Sequence, residues 1–306
     1  MFELASNFIY ITGKLIGYVT PRNSIISFFK KDINWTKDNK HLSNILFHYF
    51  RGLLSHPSND ISVTKNLYKT GPLYKFVLQG YCDLRNYFLD DHKSLVDIAK
   101  VIFEKYPGAY VDIGANTGCT SLLISQLCTH VYSFEPQKTN FDKFKNNLAL
   151  NPGSNIDAYN FGISEKEDTL KLLLSENDGA HTLEQEFADT LGNQYYGVEE
   201  IKLKTFDSLD IPKDFTLVKI DVEGHELLVL RGMDQSLSSV RFVYVETYKL
   251  NLAGLLEYMK TKEFVLVPGD VNQDFESFEN NLPSNRIINL LFVNTSLVNN
   301  IETVLI

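Results

Sequence analysis

Four acidic residues stand at or next to the ends of short apolar runs: Asp112 in AYVDI, Glu135 after VYSF, Asp221 after LVKI and Glu246 after FVYV. Such runs, bounded by glycine, proline or asparagine, read as strands, and near-continuous apolar runs suit a sheet buried on both faces. In a parallel sheet the strand ends lie on one edge, so the four carboxylates converge on one crevice. Carboxylates gathered together repel one another unless a cation or hydrogen bonds answer them. Two kinds of chemistry fit this arrangement: binding a positively charged ligand, and taking a proton from a nucleophile. Glu223 and His225, just after Asp221, are further candidates for the second task. The histidine titrates near neutrality, although a structural histidine at a helix start has the same appearance.

Asp112 leads into a turn carrying Gly114, Asn116 and Gly118, and an apolar helical pattern follows from Ser121 to Leu127. Strand, glycine turn and helix form the first unit of a doubly wound sheet, whose ligands bind outside the carboxyl ends of the strands. Glycine lets the loop bend sharply and lets a ligand lie against its backbone. The glycines are four apart, which is not the G-x-G-x-x-G of a dinucleotide site, and no lysine follows at P-loop spacing. An acid beside the loop suits S-adenosylmethionine, which carries ammonium and sulfonium groups. Glu135, ending the second strand, stands where a ribose diol would be held. Phe161 and Gly162 follow the third strand, where an adenine would lie.

Four motifs in series, VDIGANTG, FEP at Phe134 to Pro136, KIDVEGHE at Lys219 to Glu226 and YVE at Tyr244 to Glu246, resemble the FkbM family of class I S-adenosylmethionine-dependent methyltransferases. The resemblance runs from Pro107 to Glu246. It implies a Rossmann-like α/β fold with a seven-stranded, mostly parallel sheet and an antiparallel C-terminal strand. It also implies O-methylation of a hydroxyl on a sugar, glycan or glycosylated small molecule. Gly179 to Leu183 resembles a G-x-x-T-L piece of the family and marks a candidate lid. DVEG is unlike the N/D-P-P-Y/F sequences found where amides or base amines are methylated. Asp112 and Glu135 would then hold the methionine end and the ribose, and Asp221 and Glu246 would face the methyl group and the acceptor. A hydroxyl needs a base, and Asp221, Glu223, His225 and Glu246 are the candidates. Asp221, Glu223 and Glu246 could instead supply oxygen ligands to Mg²⁺.

The chain has 306 residues, is 44% hydrophobic and carries a net charge of −9. That is enough for a large core, and an acidic chain is a poor candidate for nucleic acid. Three cysteines, Cys82, Cys119 and Cys128, show no C-x-x-C spacing, as expected of a reduced, cytoplasmic protein. No apolar run reaches membrane-spanning length. Phe8 to Val19 is the nearest, interrupted by Lys14 and two glycines, and reads as packing against the main domain or as a peripheral membrane contact.

Residues 1–80 read as a small helical extension, with helical spacing over Leu42 to Leu54, serving as a cap or a homo-oligomer interface. Residues 81–306 read as the catalytic domain. Its strands are expected near 109–113, 131–135, 156–160, 217–220 and 242–245, with a closing hairpin at 264–267 and 287–293 and extra strands near 170–174 and 201–206. Two other classes share such a sheet: an NAD(P)-type oxidoreductase, disfavoured by the glycine spacing, and a non-catalytic binding protein that keeps the fold.

Overall fold

The computed structural model describes residues 61–66, 73–78, 93–175, 179–185, 188–189, 195–267 and 287–298. The expected helix at Leu42 to Leu54 and the apolar stretch at Phe8 to Val19 lie outside them, as does Cys82. Within the proposed helical extension, the described part is instead a β-hairpin of β1 (Ile61–Asn66) and β2 (Leu73–Leu78), paired antiparallel. Thr70-Gly71-Pro72 lies between the two strands, and β2 is rich in the apolar and aromatic residues that favour strands. Phe76 of β2 is buried in the main core, and Asn151 brackets the backbone of Lys75 with hydrogen bonds to its N–H and C=O. The hairpin is therefore packed against the sheet domain.

The chain continues with α1 (Lys93–Lys105), β3 (Ala109–Ile113), α2 (Cys119–Ile124), β4 (Val131–Phe134), α3 (Lys138–Leu150) and β5 (Ile156–Tyr159). After a three-stranded side sheet come β9 (Phe215–Ile220), α4 (Glu226–Gly232), β10 (Val240–Tyr248), α5 (Lys249–Thr261), β11 (Phe264–Leu266) and β12 (Ile287–Asn294). Among the described residues the main sheet has seven strands in the order β11-β12-β10-β9-β3-β4-β5. From β10 to β5 all neighbours are parallel, and β12 is antiparallel to both β10 and β11. This is the mostly parallel sheet with an antiparallel C-terminal strand that the motifs imply. The order in which strands are added reverses between β3 and β9, and sheets of this kind bind ligands at such a switch.

Strand alternation divides the core between the two faces. Tyr110, Leu217, Phe242 and Tyr244 point toward α1 and α2, whereas Val111, Ile113, Val218, Ile220, Val243 and Val245 pack on the opposite side with α4 and α5. With both faces covered, β9 is buried along its whole length. The side sheet holds β6 (Gly162–Ile163), β7 (Asp168–Ser175) and β8 (Tyr195–Lys204), in the order β6-β8-β7. β7 and β8 are the expected extras, β6 is unforeseen, and β8 starts earlier than the apolar spacing indicates. Tyr196, Val198, Glu200 and Lys202 of β8 are all exposed, so half of the strand carries no burial signal.

Candidate active site

Register builds the site. Ser133, Asp112 and Lys219 are neighbours across β4, β3 and β9, on the face that also carries Tyr110 and Leu217. Two residues further on, the same face carries Asp221 beyond β9 and Glu246 on β10, because Ile220 pairs with Val245. β10 does not stop at Glu246 but runs to Tyr248, with Glu246 opposite Asn289 of β12. Glu246 reaches the crevice because β9 has already ended beside it.

The inner row is a buried polar network in which Asp112 Oδ1 has Lys219 as an ion-pair neighbour but accepts no hydrogen bond. Ser121, brought down by α2, donates to Asp112 Oδ2 at 2.6 Å and lies 2.9 Å from Ser133 Oγ. Lys219 Nζ lies 3.3 Å from Asp112 Oδ1 and 3.1 Å from Asp221 Oδ2, and donates to the Gly114 carbonyl at 3.1 Å. Burial pushes the Asp112 carboxyl up, against the pull of Lys219 and Ser121. Burial alone would lower the Lys219 ammonium, but Asp112 and Asp221 outweigh it and raise the pKa. Asp112 has 0% exposure, so it cannot touch a ligand directly: it braces the loop from below. Lys219 is the residue that the pattern of acids failed to reveal. It sits inside an apolar strand run, and its meaning depends on a register that the sequence does not state.

The glycine loop has φ of 80° at Gly114, 51° at Asn116 and 78° at Gly118. A Cβ on Gly114 would stand 1.8 Å from the Asp221 carbonyl oxygen, and one on Gly118 would stand 2.0 Å from the Phe144 ring. The bare Cα atoms thus make room for the protein's own strand and helix, not only for a ligand as the sequence led us to expect. Gly114 and Ala115 N–H groups donate to the Phe134 carbonyl, and the Asn116 N–H donates to Glu135 Oε2 at 2.9 Å. The Gln137 N–H takes Glu135 Oε1 at 2.8 Å. Burial pushes Glu135 up to about 7, with these two N–H groups pulling the other way. Each carboxylate oxygen accepts about two hydrogen bonds, so each has capacity for one more. Phe161 packs on Phe134 and Tyr159, with the Lys204 ammonium 4.8 Å from its ring centre. Gly162 is buried against Leu203 and Pro136. Both residues adjoin the Glu135 end of the sheet, where the expectation put them, but as parts of the core.

Asp221, Glu223 and Glu246 do come together: one carboxylate oxygen from each lies within 4.8 Å of the others, and all three residues are partly exposed. The turn between β9 and α4 achieves this with Glu223 at φ 52° and Gly224 at φ 105°. Tyr248 donates to Glu223 Oε2 at 3.0 Å. Burial, then Asp221 and Glu246, hold the Glu223 carboxyl well above the usual range. Glu226 folds back on the Gly224 N–H at 2.7 Å and closes the turn.

His225 does not serve the crevice. It is 4% exposed, its Nε2 lies 2.9 Å from Ser164 Oγ, and its Nδ1 lies 2.9 Å from Glu184 Oε1. With both ring nitrogens engaged it pins α4 to the segment after β6 and to the 179–185 loop. Ser, His and Glu are in the order of a nucleophile triad, but Ser164 is as buried as the histidine, and no substrate can approach it. The loop is also tied down by Thr182, which donates to the Glu223 carbonyl at 2.7 Å. The candidate lid thus rests on the turn that carries the acids. Of the two described cysteines, Cys119 is buried, and burial pushes the Cys128 thiol up to about 12.

Fold and site together define an α/β protein with an acidic, lysine-braced crevice at the switch point of a mostly parallel sheet. The profile of the Methyltransferase FkbM domain matches residues 112–266, just over half of the chain, and the chain belongs to that family. Hexuronic acid methyltransferase AglP of Haloferax volcanii is 34% identical over 162 residues, covering 52% of this chain and 64% of its own. Methyltransferase sdnD of Sordaria araneosa is 29% identical over 170 residues, covering 45% of this chain and 66% of its own. This chain therefore spans slightly less than two thirds of either relative. Among solved structures, magnesium protoporphyrin IX methyltransferase (ChlM) from Synechocystis PCC 6803 with bound SAM aligns with a TM-score of 0.41 and 12% identity, over 69% of this chain and 83% of that one. Among the described residues no helix is long and apolar enough to cross a membrane.

Proposed function

We propose that this protein transfers a methyl group from S-adenosylmethionine to a hydroxyl of a sugar-containing acceptor, a glycan or a glycosylated small molecule. The observation that carries it is the meeting of Asp221, Glu223 and Glu246 at the strand edge, inside the segment matched by the family. The sugar comes from the name of the relative AglP. The residues suit the donor: Glu135 keeps two acceptor places for a ribose diol, and the partly open acids attract a cation. Bound, the donor supplies an electrophilic methyl carbon whose bond to sulfur breaks as the acceptor oxygen attacks, leaving a neutral thioether.

The protein's part is positioning and proton removal. Glu246 and Asp221 orient the acceptor hydroxyl. Glu223, held by Tyr248 and made basic by its surroundings, takes the hydroxyl proton. Phe161 flanks the adenine. Because the donor is a cytosolic metabolite in this scheme, we place the reaction in the cytoplasm.

The clustering of the three carboxylates favours one second reading, in which the trio also holds Mg²⁺ that acidifies the hydroxyl. The Lys219 ammonium, 3.1 Å from Asp221, weighs against it by supplying positive charge already. A tritiated-methyl transfer assay over uronic acid and neutral sugar acceptors, with and without EDTA, tests both readings. Transfer to none of the sugar acceptors would remove the proposed acceptor class, and transfer unaffected by EDTA would remove the metal.

A further inference from the structure

We propose that Lys219 is a positioning residue that sets the charge of the donor pocket: it fixes Asp112, Asp221 and the Gly114 carbonyl while cancelling part of the acids' pull on a cationic ligand. The proposal rests on reading the crevice as an S-adenosylmethionine site.

The ammonium is enclosed, at 3% exposure, and its three contacts are all oxygens from different parts of the site: Asp112, Asp221 and the Gly114 carbonyl. The Gly114 carbonyl accepts a hydrogen bond from it, and the two carboxylates face it as ion pairs. A lysine this deep keeps its charge only where carboxylates compensate for lost water. Its two carboxylates are unequal. Asp112 is sealed off and shared with Ser121, whereas the Asp221 side chain is 23% exposed and opens on the crevice. The positive charge therefore lies between a closed acid and an open one, under the carbonyl of the loop.

That placement matters because the reaction consumes a positive charge. The donor is a sulfonium before transfer and a thioether after it, and charge is already leaving sulfur in the transition state. A pocket lined only by carboxylates would hold the charged reactant more tightly than the transition state, and such binding does not accelerate the step. A fixed ammonium beside Asp221 reduces this ground-state hold and also evens the affinities of the charged donor and its neutral product.

The test is calorimetric titration of the wild-type chain and Lys219→Met with S-adenosylmethionine and with S-adenosylhomocysteine. Removing the ammonium is expected to raise the ratio of donor to product affinity on the order of tenfold, because only the donor carries the sulfonium charge. A merely structural lysine would weaken both ligands together. A ratio unchanged within about twofold, on the scale of that expectation, overturns the proposal. If circular dichroism shows Lys219→Met unfolded, Lys219→Gln decides, since it removes the charge and keeps an amide donor for the oxygens around it. There too the ratio must rise, because Asp221 has lost its charged neighbour, and an unchanged ratio overturns the proposal. If the wild-type chain binds neither ligand, the methyl-donor reading falls, and the role of Lys219 falls with it.

Discussion

Beneath the glycine loop, Asp112 and Glu135 have partners supplied by the protein: Ser121 and Lys219 for one, two backbone N–H groups for the other. Around the turn after β9, Asp221, Glu223 and Glu246 crowd one another and stay partly open. The first region is built like a core, where a polar group is tolerated because its partners are fixed. The second gathers like charges at the crevice, and burial together with these neighbours raises Glu223. On the proposed function the first region is the donor half and the second the acceptor half, and the difference follows from where each acid stands relative to the strand ends.

The sharpest way to break the first half is Gly114→Ala. A Cβ would meet the Asp221 carbonyl at 1.8 Å at a φ of 80°, and both the overlap and the left-handed backbone are costly. A loss of about 3 kcal/mol or more is expected in thermal or denaturant unfolding. A melting curve matching the wild type would show that the loop is looser than the packing implies.

The acceptor half should answer differently. Glu223→Gln keeps shape and hydrogen bonding but removes the base, so kcat should fall roughly 100- to 1,000-fold. Affinity for S-adenosylhomocysteine should stay near wild type, and a parallel loss of affinity would place Glu223 in the donor half.

Glu135→Ala should produce the converse pattern. Product affinity should weaken by about 10- to 100-fold through loss of charge-assisted hydrogen bonds, read by calorimetry. Retained affinity would take the ribose away from this residue.

His225→Ala tests the outer support of the turn. Unfolding free energy should drop by about 1–3 kcal/mol, because Ser164 and Glu184 lose their partner. The catalytic rate should change far less than in Glu223→Gln. A rate loss equal to that of Glu223→Gln would restore the histidine as a base.

The smallest effect concerns pH. Glu135 titrates near 7 when folded, against an ordinary value of 4.5. A raised carboxyl favours the folded state while protonated, so this contribution is full below the unfolded value and is lost as pH rises through about 7. A diol needs the charged form, so product affinity should fall a few-fold, about three- to tenfold, between pH 8 and pH 6. Identical affinity at both values would mean that Glu135 is already ionised at pH 6.

The sequence by itself determined the sheet, the loop and the set of acids. Apolar runs of four to six residues, each followed by Gly or an acid, mark four of the five parallel strands, β3, β4, β9 and β10, because both faces must be covered, and strand ends share one edge by topology alone. Spacing says nothing about what lies across a strand or beneath a loop. Only the tertiary structure decided that Lys219 stands beside Asp112, that Asp112 is sealed away from any ligand and that His225 is engaged on both nitrogens. It also decided that the segment after residue 60 is a hairpin packed on the main core. Each of these depends on register or long-range packing, in which a residue's partner is more than a hundred positions away, as for Lys219 and Gly114, or lies on a separate loop, as for His225 and Glu184.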